Sequence, residues 1–90
     1  MDYKLKYSAR AIADLKSIDL KESKKIISKL GQIINNNTNP MSVAKSLKGQ
    51  YSGLYRFRVG NYRAIFSKDN KGNLIIIEIV TIGHRKNIYK

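Results

Sequence analysis

The hydrophobic spacing in the first half of the chain predicts one strand followed by two helices. Apolar and basic residues alternate from Tyr3 to Tyr7, as in a strand with one buried face. Ser8 and Asp19 stand where helix N-caps are expected, and apolar residues at helical spacing follow each of them. The residues expected to face the core are Ala11, Ile12, Leu15 and Ile18 in the first helix and Ile26, Ile27, Leu30, Ile33 and Ile34 in the second. Asn35–Asn37 and Pro40 are expected to end the second helix.

Beyond a polar connection over residues 41–53, the spacing changes to a period of two. Residues 54–59 and 62–67 predict two strands joined by Gly60 and Asn61, a dipeptide suited to a two-residue hairpin. Residues 69–73 predict a second turn, and residues 74–82 predict a strand buried on both faces. The order β-α-α-β-β-β predicts an α+β fold in a single domain over residues 1–90. Its antiparallel sheet carries both helices on one face, and a short C-terminal helix or tail follows.

The predicted hairpin places three arginines on one face. If Gly60 and Asn61 form the turn, Arg58 lies opposite Arg63, and Arg56 shares their face. Like charges directly opposite each other are destabilising, and an anion bound between them would offset that repulsion. The alternatives are that the arginines pair with carboxylates or point to water. Since Asp69 and Glu78 are the only acids in this half of the chain, carboxylates are too few to neutralise the arginines.

The charge balance points to polyanions. Eighteen Lys and Arg against six Asp and Glu give a net charge of +12, which suits nucleic acid, an anionic membrane or an acidic protein. Cysteine is absent, and no segment has the length and apolarity of a membrane span. We therefore expect a cytoplasmic protein without membrane contact. The acids show no metal-ligand spacing, so we expect neither a metal nor a cofactor.

The end of the chain adds groups that can move protons. Arg85 and Tyr89 share a face whether the segment is helical or extended. Cleavage of RNA needs a proton acceptor for the 2′-hydroxyl, positive charge around the phosphate and a proton for the leaving oxygen. Nearby guanidinium groups favour the phenolate form of a tyrosine, and His84 can exchange a proton near neutral pH. A lone histidine and a terminal tyrosine also often serve only in packing.

The chain resembles the RelE-type toxins of bacterial and archaeal toxin-antitoxin pairs, within the wider RelE/ParE group. The resemblance is carried by Ser8-Ala9-Arg10-Ala11, by Leu47-Lys48-Gly49, and by residues 55–63 and 83–89. It implies a metal-independent mRNA endoribonuclease that cuts in the ribosomal A site and leaves a 2′,3′-cyclic phosphate. The residues it implies for the site are Arg56, Arg58, Arg63 and Arg85 for the phosphate, Tyr89 and His84 for base orientation and acid-base chemistry, and Lys48 and Lys86 for RNA binding.

The resemblance also implies partners and leaves alternatives. The partners are mRNA, the ribosome and a cognate acidic antitoxin, with the toxin monomeric alone and hetero-oligomeric in the antitoxin complex. The ParE-type branch shares the fold and is associated with poisoning of DNA gyrase. Because its members generally lack the arginine, histidine and tyrosine ending, the sequence favours RNA cleavage. A non-catalytic basic nucleic-acid-binding protein is the third interpretation.

Overall fold

The computed structural model describes residues 2–36 and 39–89. Its elements, in chain order, are β1 (Asp2–Tyr7), α1 (Ala9–Ser17), α2 (Leu20–Asn36), β2 (Ala44–Ser46), β3 (Tyr55–Val59), β4 (Tyr62–Lys71) and β5 (Leu74–His84). Short 3₁₀ turns at Pro40–Val43 and Gly49–Tyr51 flank β2. The α+β class is confirmed. The end of α2 at Asn36 agrees with the expected stop, and Asn37 lies outside the described residues.

Both helices begin at the predicted caps. The backbone N–H of Ala11 donates to Ser8 Oγ at 3.0 Å, and the N–H of Lys21 donates to Asp19 Oδ2 at 3.2 Å. These side-chain oxygens satisfy N–H groups that have no partner within the helix. The Ser8 hydroxyl also donates to the Val80 carbonyl at 2.7 Å, which fixes the start of α1 against β5.

The sheet has five strands in the order β1-β5-β4-β3-β2. Strands β3, β4 and β5 pair antiparallel in chain order, as predicted, but β1 runs parallel to β5, so the sheet is not antiparallel throughout. The polar, three-residue edge strand β2 was not predicted either, because it is too short to show a period. The turn predicted at residues 69–73 is present but shorter: β4 continues to Lys71, and only Gly72 and Asn73 form the turn.

One face of the sheet packs on the helices. Phe57, Phe66 and Ile77 are fully buried in one cluster with Ala11, Ile26 and Leu30. Two core expectations are wrong, since Ile12 is 45 % exposed and Ile27 is 46 % exposed. The expectation for β5 is wrong in part: its residues alternate between buried and half-buried, because no helix covers the second face. We call this second face of the sheet the open face.

The end of β5 extends beyond β1 and is held by α1. The pairing of β1 with β5 stops at Ile79. Past that point, Asp14 Oδ2 accepts hydrogen bonds from the Thr81 hydroxyl at 2.7 Å and from the Ile82 N–H at 2.9 Å. The carboxylate therefore takes the place of a neighbouring strand at this free edge. None of the described helices combines the length and apolar character that a membrane crossing requires.

Candidate functional site

The hairpin register places a row of cations on the open face. Arg58 pairs with Arg63 and Arg56 pairs with Ile65, so the predicted register is confirmed. Gly60, the first turn residue, has a φ of +59°, whereas no non-glycine residue described has a positive φ. This pattern is typical of a type II′ turn, which suits a two-residue hairpin. Lys45 of β2 lies opposite Arg56 and extends the cationic row; the sequence showed no signal for it, because β2 was not predicted.

Residues 85–89, which we call the tail, turn back over the open face. The N–H of Arg85 donates to the Asn61 carbonyl at 2.8 Å, which ties the start of the tail to the hairpin turn. Gly83 pairs with Arg63, and a Cβ on Gly83 would lie 2.8 Å from Ile88 Cδ1. The side chain of Ile88 therefore occupies the space above Gly83, on the same face as Arg63. The predicted helix or tail is thus a set of consecutive turns.

The cationic groups and the terminal tyrosine converge around Arg63. Burial lowers the pKa of the Arg63 guanidinium, the charges of Arg58, Arg56 and Arg85 lower it further, and Tyr89 acts in the opposite direction. A guanidinium nevertheless stays charged at neutral pH. All four neighbours thus lie close enough for their charges to influence Arg63. The side chains from the hairpin and from the tail share one side of the sheet.

Arg63 itself is held in place and is only 8 % exposed. Its Nη1 donates to the Gly60 carbonyl at 3.0 Å and to the Tyr62 carbonyl at 2.9 Å. The Nη1 group of Arg63 therefore stabilises the hairpin turn. The guanidinium as a whole acts as a fixed positive charge beneath the more exposed arginines Arg56 and Arg58.

Among the described residues, no carboxylate forms an ion pair with this cluster. Within residues 2–36 and 39–89, the ion pairs are Lys25 with Glu22 at 3.7 Å and Lys71 with Asp69 at 3.5 Å. Neither pair includes an arginine of the site. The same residues contain no group of three or more His, Cys, Asp or Glu side chains that could hold a metal ion. The open face is therefore a concentrated positive surface, which favours an anionic ligand.

His84 caps the tail. Its Nδ1 accepts a hydrogen bond from the backbone N–H of Lys86 at 3.2 Å, and its carbonyl accepts from the N–H groups of Asn87 and Ile88. The ring also contacts Tyr62 edge to face, with 5.6 Å between centroids. Because Nδ1 is an acceptor, the neutral ring carries its proton on Nε2. This hydrogen bond ties the ring to the first turn of the tail.

Tyr89 lies at the edge of the cluster, and 41 % of the residue is exposed. The ring of Tyr51 packs against it edge to face, with centroids 5.9 Å apart and an interplanar angle of 70°. Tyr51 was not predicted, because an isolated tyrosine in a polar loop carries no pattern. Lys48 is exposed and begins the 3₁₀ turn that ends at Tyr51, and Lys86 is exposed in the tail. Neither lysine is among the charges that act on Arg63.

Comparison with known proteins gives the class of this fold and site. A family model described as the ParE toxin of type II toxin-antitoxin system, parDE, matches residues 5–89. The chain therefore belongs to the ParE toxin family, within the RelE/ParE superfamily of type II toxin-antitoxin toxins. No curated protein sequence matches it.

Solved structures with similar folds include toxins from bacteria and archaea. The RelB-RelE antitoxin-toxin complex from Methanococcus jannaschii is 30% identical, with 93% of this chain and 94% of that chain covered and a TM-score of 0.62. YafQ from E. coli strain BL21(DE3) is 16% identical over 99% of this chain and 100% of that chain, with a TM-score of 0.73. The RelBE2 complex from Mycobacterium tuberculosis is 21% identical over 94% of this chain and 100% of that chain, with a TM-score of 0.68. The last two likenesses concern the fold alone.

Proposed function

We propose that this toxin is a metal-independent mRNA endoribonuclease that cuts its substrate in the ribosomal A site, in the cytoplasm. The observation that carries the proposal is the placement of Arg56, Arg58 and Arg63 on one face of the hairpin, with the tail that bears Arg85 and Tyr89 turned back over that face. No carboxylate among the described residues pairs with these arginines. Such a cluster suits a phosphate whose negative charge grows in the transition state. A purely structural role gives no reason to hold so many like charges together.

Each group has an assigned part in the reaction. The 2′ oxygen forms a bond to phosphorus while the bond to the 5′ oxygen breaks, which gives a 2′,3′-cyclic phosphate and a 5′-hydroxyl. We assign Tyr89 to take the 2′-hydroxyl proton, because the residue is exposed and lies close enough to Arg63 to interact with its charge. The leaving oxygen gains its proton from solvent. Arg56, Arg58 and Arg85 grip the phosphate, with Arg63 as a fixed charge beneath it, and Lys48 and Lys86 contact the flanking RNA.

His84 is assigned a positioning role in this scheme. Its Nδ1 already accepts the hydrogen bond from the backbone N–H of Lys86, which ties this nitrogen to the tail. The capped turn instead holds Arg85 at one end and Tyr89 at the other, which orients both side chains toward Arg63. Proton transfer by His84 would require the tail to change its hydrogen bonding during the reaction.

A cognate antitoxin is the proposed partner that controls the site. The similar structures include toxin-antitoxin complexes, which supports such a partner for this chain. An acidic segment that covers Arg56, Arg58 and Arg63, or displaces the tail, would neutralise the open face. The toxin also exposes Ile12, Leu20 and Ile27, and a protein partner would remove these apolar side chains from water. We expect the toxin to be inactive in a hetero-oligomeric complex with the antitoxin. After removal of the antitoxin, we expect it to be an active monomer.

Poisoning of DNA gyrase is the second candidate function. The match of the ParE toxin family model over residues 5–89 favours it. The ending with Arg85 and Tyr89 favours RNA cleavage instead, since a topoisomerase poison has no need of a proton-accepting tyrosine beside a phosphate site.

Ribosomes programmed with a defined messenger separate these functions. Cleavage by the wild-type toxin should fall about 100- to 1000-fold in Arg85→Ala, as for loss of one transition-state contact, and by a comparable factor in Tyr89→Phe. Two matched controls should keep full activity: Lys21→Ala, which removes an exposed charge on α2, and Tyr3→Phe, which removes a hydroxyl outside the site. Inhibition of supercoiling without messenger cleavage would support gyrase poisoning. RNA binding that survives both substitutions, without cleavage by any variant, would support a non-catalytic protein.

A further inference from the structure

A second cleft lies beside the cationic cluster, between α1, the 3₁₀ turn at Gly49–Tyr51, the end of β5 and the tail. Its volume is about 370 Å³. The side chains that give it chemical character are Arg10, Asp14, Tyr51 and Asn87, and Gly83 forms part of its wall. Since Gly83 pairs with Arg63 and Tyr51 contacts Tyr89, the cleft adjoins the proposed phosphate site. A nucleotide next to the cut phosphate can therefore reach it.

The carboxylate in this cleft is held rigidly and keeps one oxygen for a ligand. Asp14 uses Oδ2 for both of its hydrogen bonds, to Thr81 and to Ile82. Among the described residues Oδ1 has no hydrogen-bond partner, so its acceptor sites are available in the cleft. A fixed acceptor of this kind selects ligands by their donors, because its own geometry does not adapt.

The cation in the cleft is also without a carboxylate partner. Arg10 precedes Asp14 by four residues on α1, a spacing at which side chains are neighbours. No ion pair joins the two among the residues that the structure describes. The cleft thus presents a guanidinium donor and a carboxylate acceptor side by side, with the ring of Tyr51 on another wall. This combination matches the edge and the face of a nucleobase.

We propose that this cleft binds the base next to the cut phosphate and selects guanine. The inference rests on the proposed RNA substrate. The Watson–Crick edge of guanine has one acceptor, O6, beside two donors, N1–H and the N2 amino group. Arg10 donates to O6, Asp14 Oδ1 accepts from the two donors, and Tyr51 packs on the base. Adenine presents an amino group where Arg10 needs an acceptor, and uracil has one donor instead of two.

The affinity of short RNAs tests this base preference without any need for cleavage. Fluorescence anisotropy measures the affinity of the toxin for two single-stranded RNA hexamers. The first contains one guanine, and the second has inosine at that position, which lacks the N2 amino group. Wild-type toxin should bind the guanine RNA more tightly by roughly tenfold, the typical effect of one good base contact. Asp14→Asn keeps an oxygen for Thr81 and Ile82 but replaces the free acceptor with a donor, so its preference should vanish. Lys16→Ala, on the same helix, should retain the preference.

Mapping of transcript ends gives the second measurement. Wild-type cuts should lie next to guanine, whereas Asp14→Asn and Tyr51→Ala should cut with no base preference. Equal wild-type affinity for the two hexamers would overturn the guanine cleft, as would a guanine preference that survives Asp14→Asn. A clear preference for guanine in binding together with uncut transcripts would reject the nuclease and leave the base cleft intact.

Discussion

Two substitutions of His84 separate a cap from a proton-transfer group. The side-chain oxygen of an asparagine can accept a hydrogen bond from the backbone N–H two residues later. Asn39 does so in this protein, where the N–H of Met41 donates to its Oδ1 at 3.1 Å. His84→Asn should therefore keep the bond to the Lys86 N–H, whereas His84→Leu cannot. Neither variant can exchange a proton. If His84 only positions the tail, His84→Asn should retain most of the cleavage activity that His84→Leu loses.

The expected size of each effect follows from the contacts. Loss of the hydrogen bond from Lys86 costs about 0.5–1.5 kcal/mol. Loss of the edge contact with Tyr62 costs about 0.5–1.5 kcal/mol more. His84→Leu loses both, so the equilibrium constant for the placed tail falls roughly 10- to 100-fold, and cleavage slows by up to the same factor. His84→Asn loses only the ring contact, so we expect a decrease of about tenfold or less.

Single-turnover cleavage of a programmed messenger measures these rates, and amide hydrogen exchange at residues 86–88 measures the order of the tail. Asparagine should leave the pH dependence of cleavage unchanged and protect the amides, whereas leucine should expose them. The cap assignment is refuted if His84→Asn protects the tail amides but abolishes cleavage as completely as His84→Leu does. That result would make His84 a proton donor or acceptor.

Three further outcomes are expected from other parts of the molecule. Gly83→Ala places a methyl group 2.8 Å from Ile88 Cδ1, the far end of a flexible side chain, so Ile88 should shift, and both the cleavage rate and the urea midpoint should change little. The buried Tyr7 hydroxyl has no partner among the described residues and burial raises its pKa. Tyr7→Phe should therefore stabilise the fold by about 1 kcal/mol at pH 7. It should also remove the part of the alkaline stability loss, expected as pH rises above about 10, that comes from deprotonation of Tyr7 in the unfolded state; an unchanged alkaline profile would contradict this. Contact with about four phosphates of single-stranded RNA predicts a log-log slope of affinity against salt near −3, and a slope near zero would exclude the open face as the contact surface.

The sequence by itself determined the local features of this protein. Ser8 and Asp19 identified the helix starts, because an N-cap needs only a short polar side chain at one position. Gly60 and Asn61 identified the hairpin turn, and the alternation of side chains then put Arg56, Arg58 and Arg63 on one face. Such features depend on neighbours in the chain, so the pattern of residue types is sufficient to predict them.

Only the tertiary structure decided what depends on contacts between distant segments. The parallel direction of β1, the pairing of Lys45 with Arg56 and the return of the tail over Gly83 each join residues far apart in sequence. The free edge of β5 explains Asp14, whose carboxylate has no recognisable motif around it. His84 has a chemistry that suits proton transfer, but its hydrogen bond from Lys86 makes it a cap in this fold. A residue type limits which reactions are possible, and the partners supplied by folding determine which of them a side chain can perform.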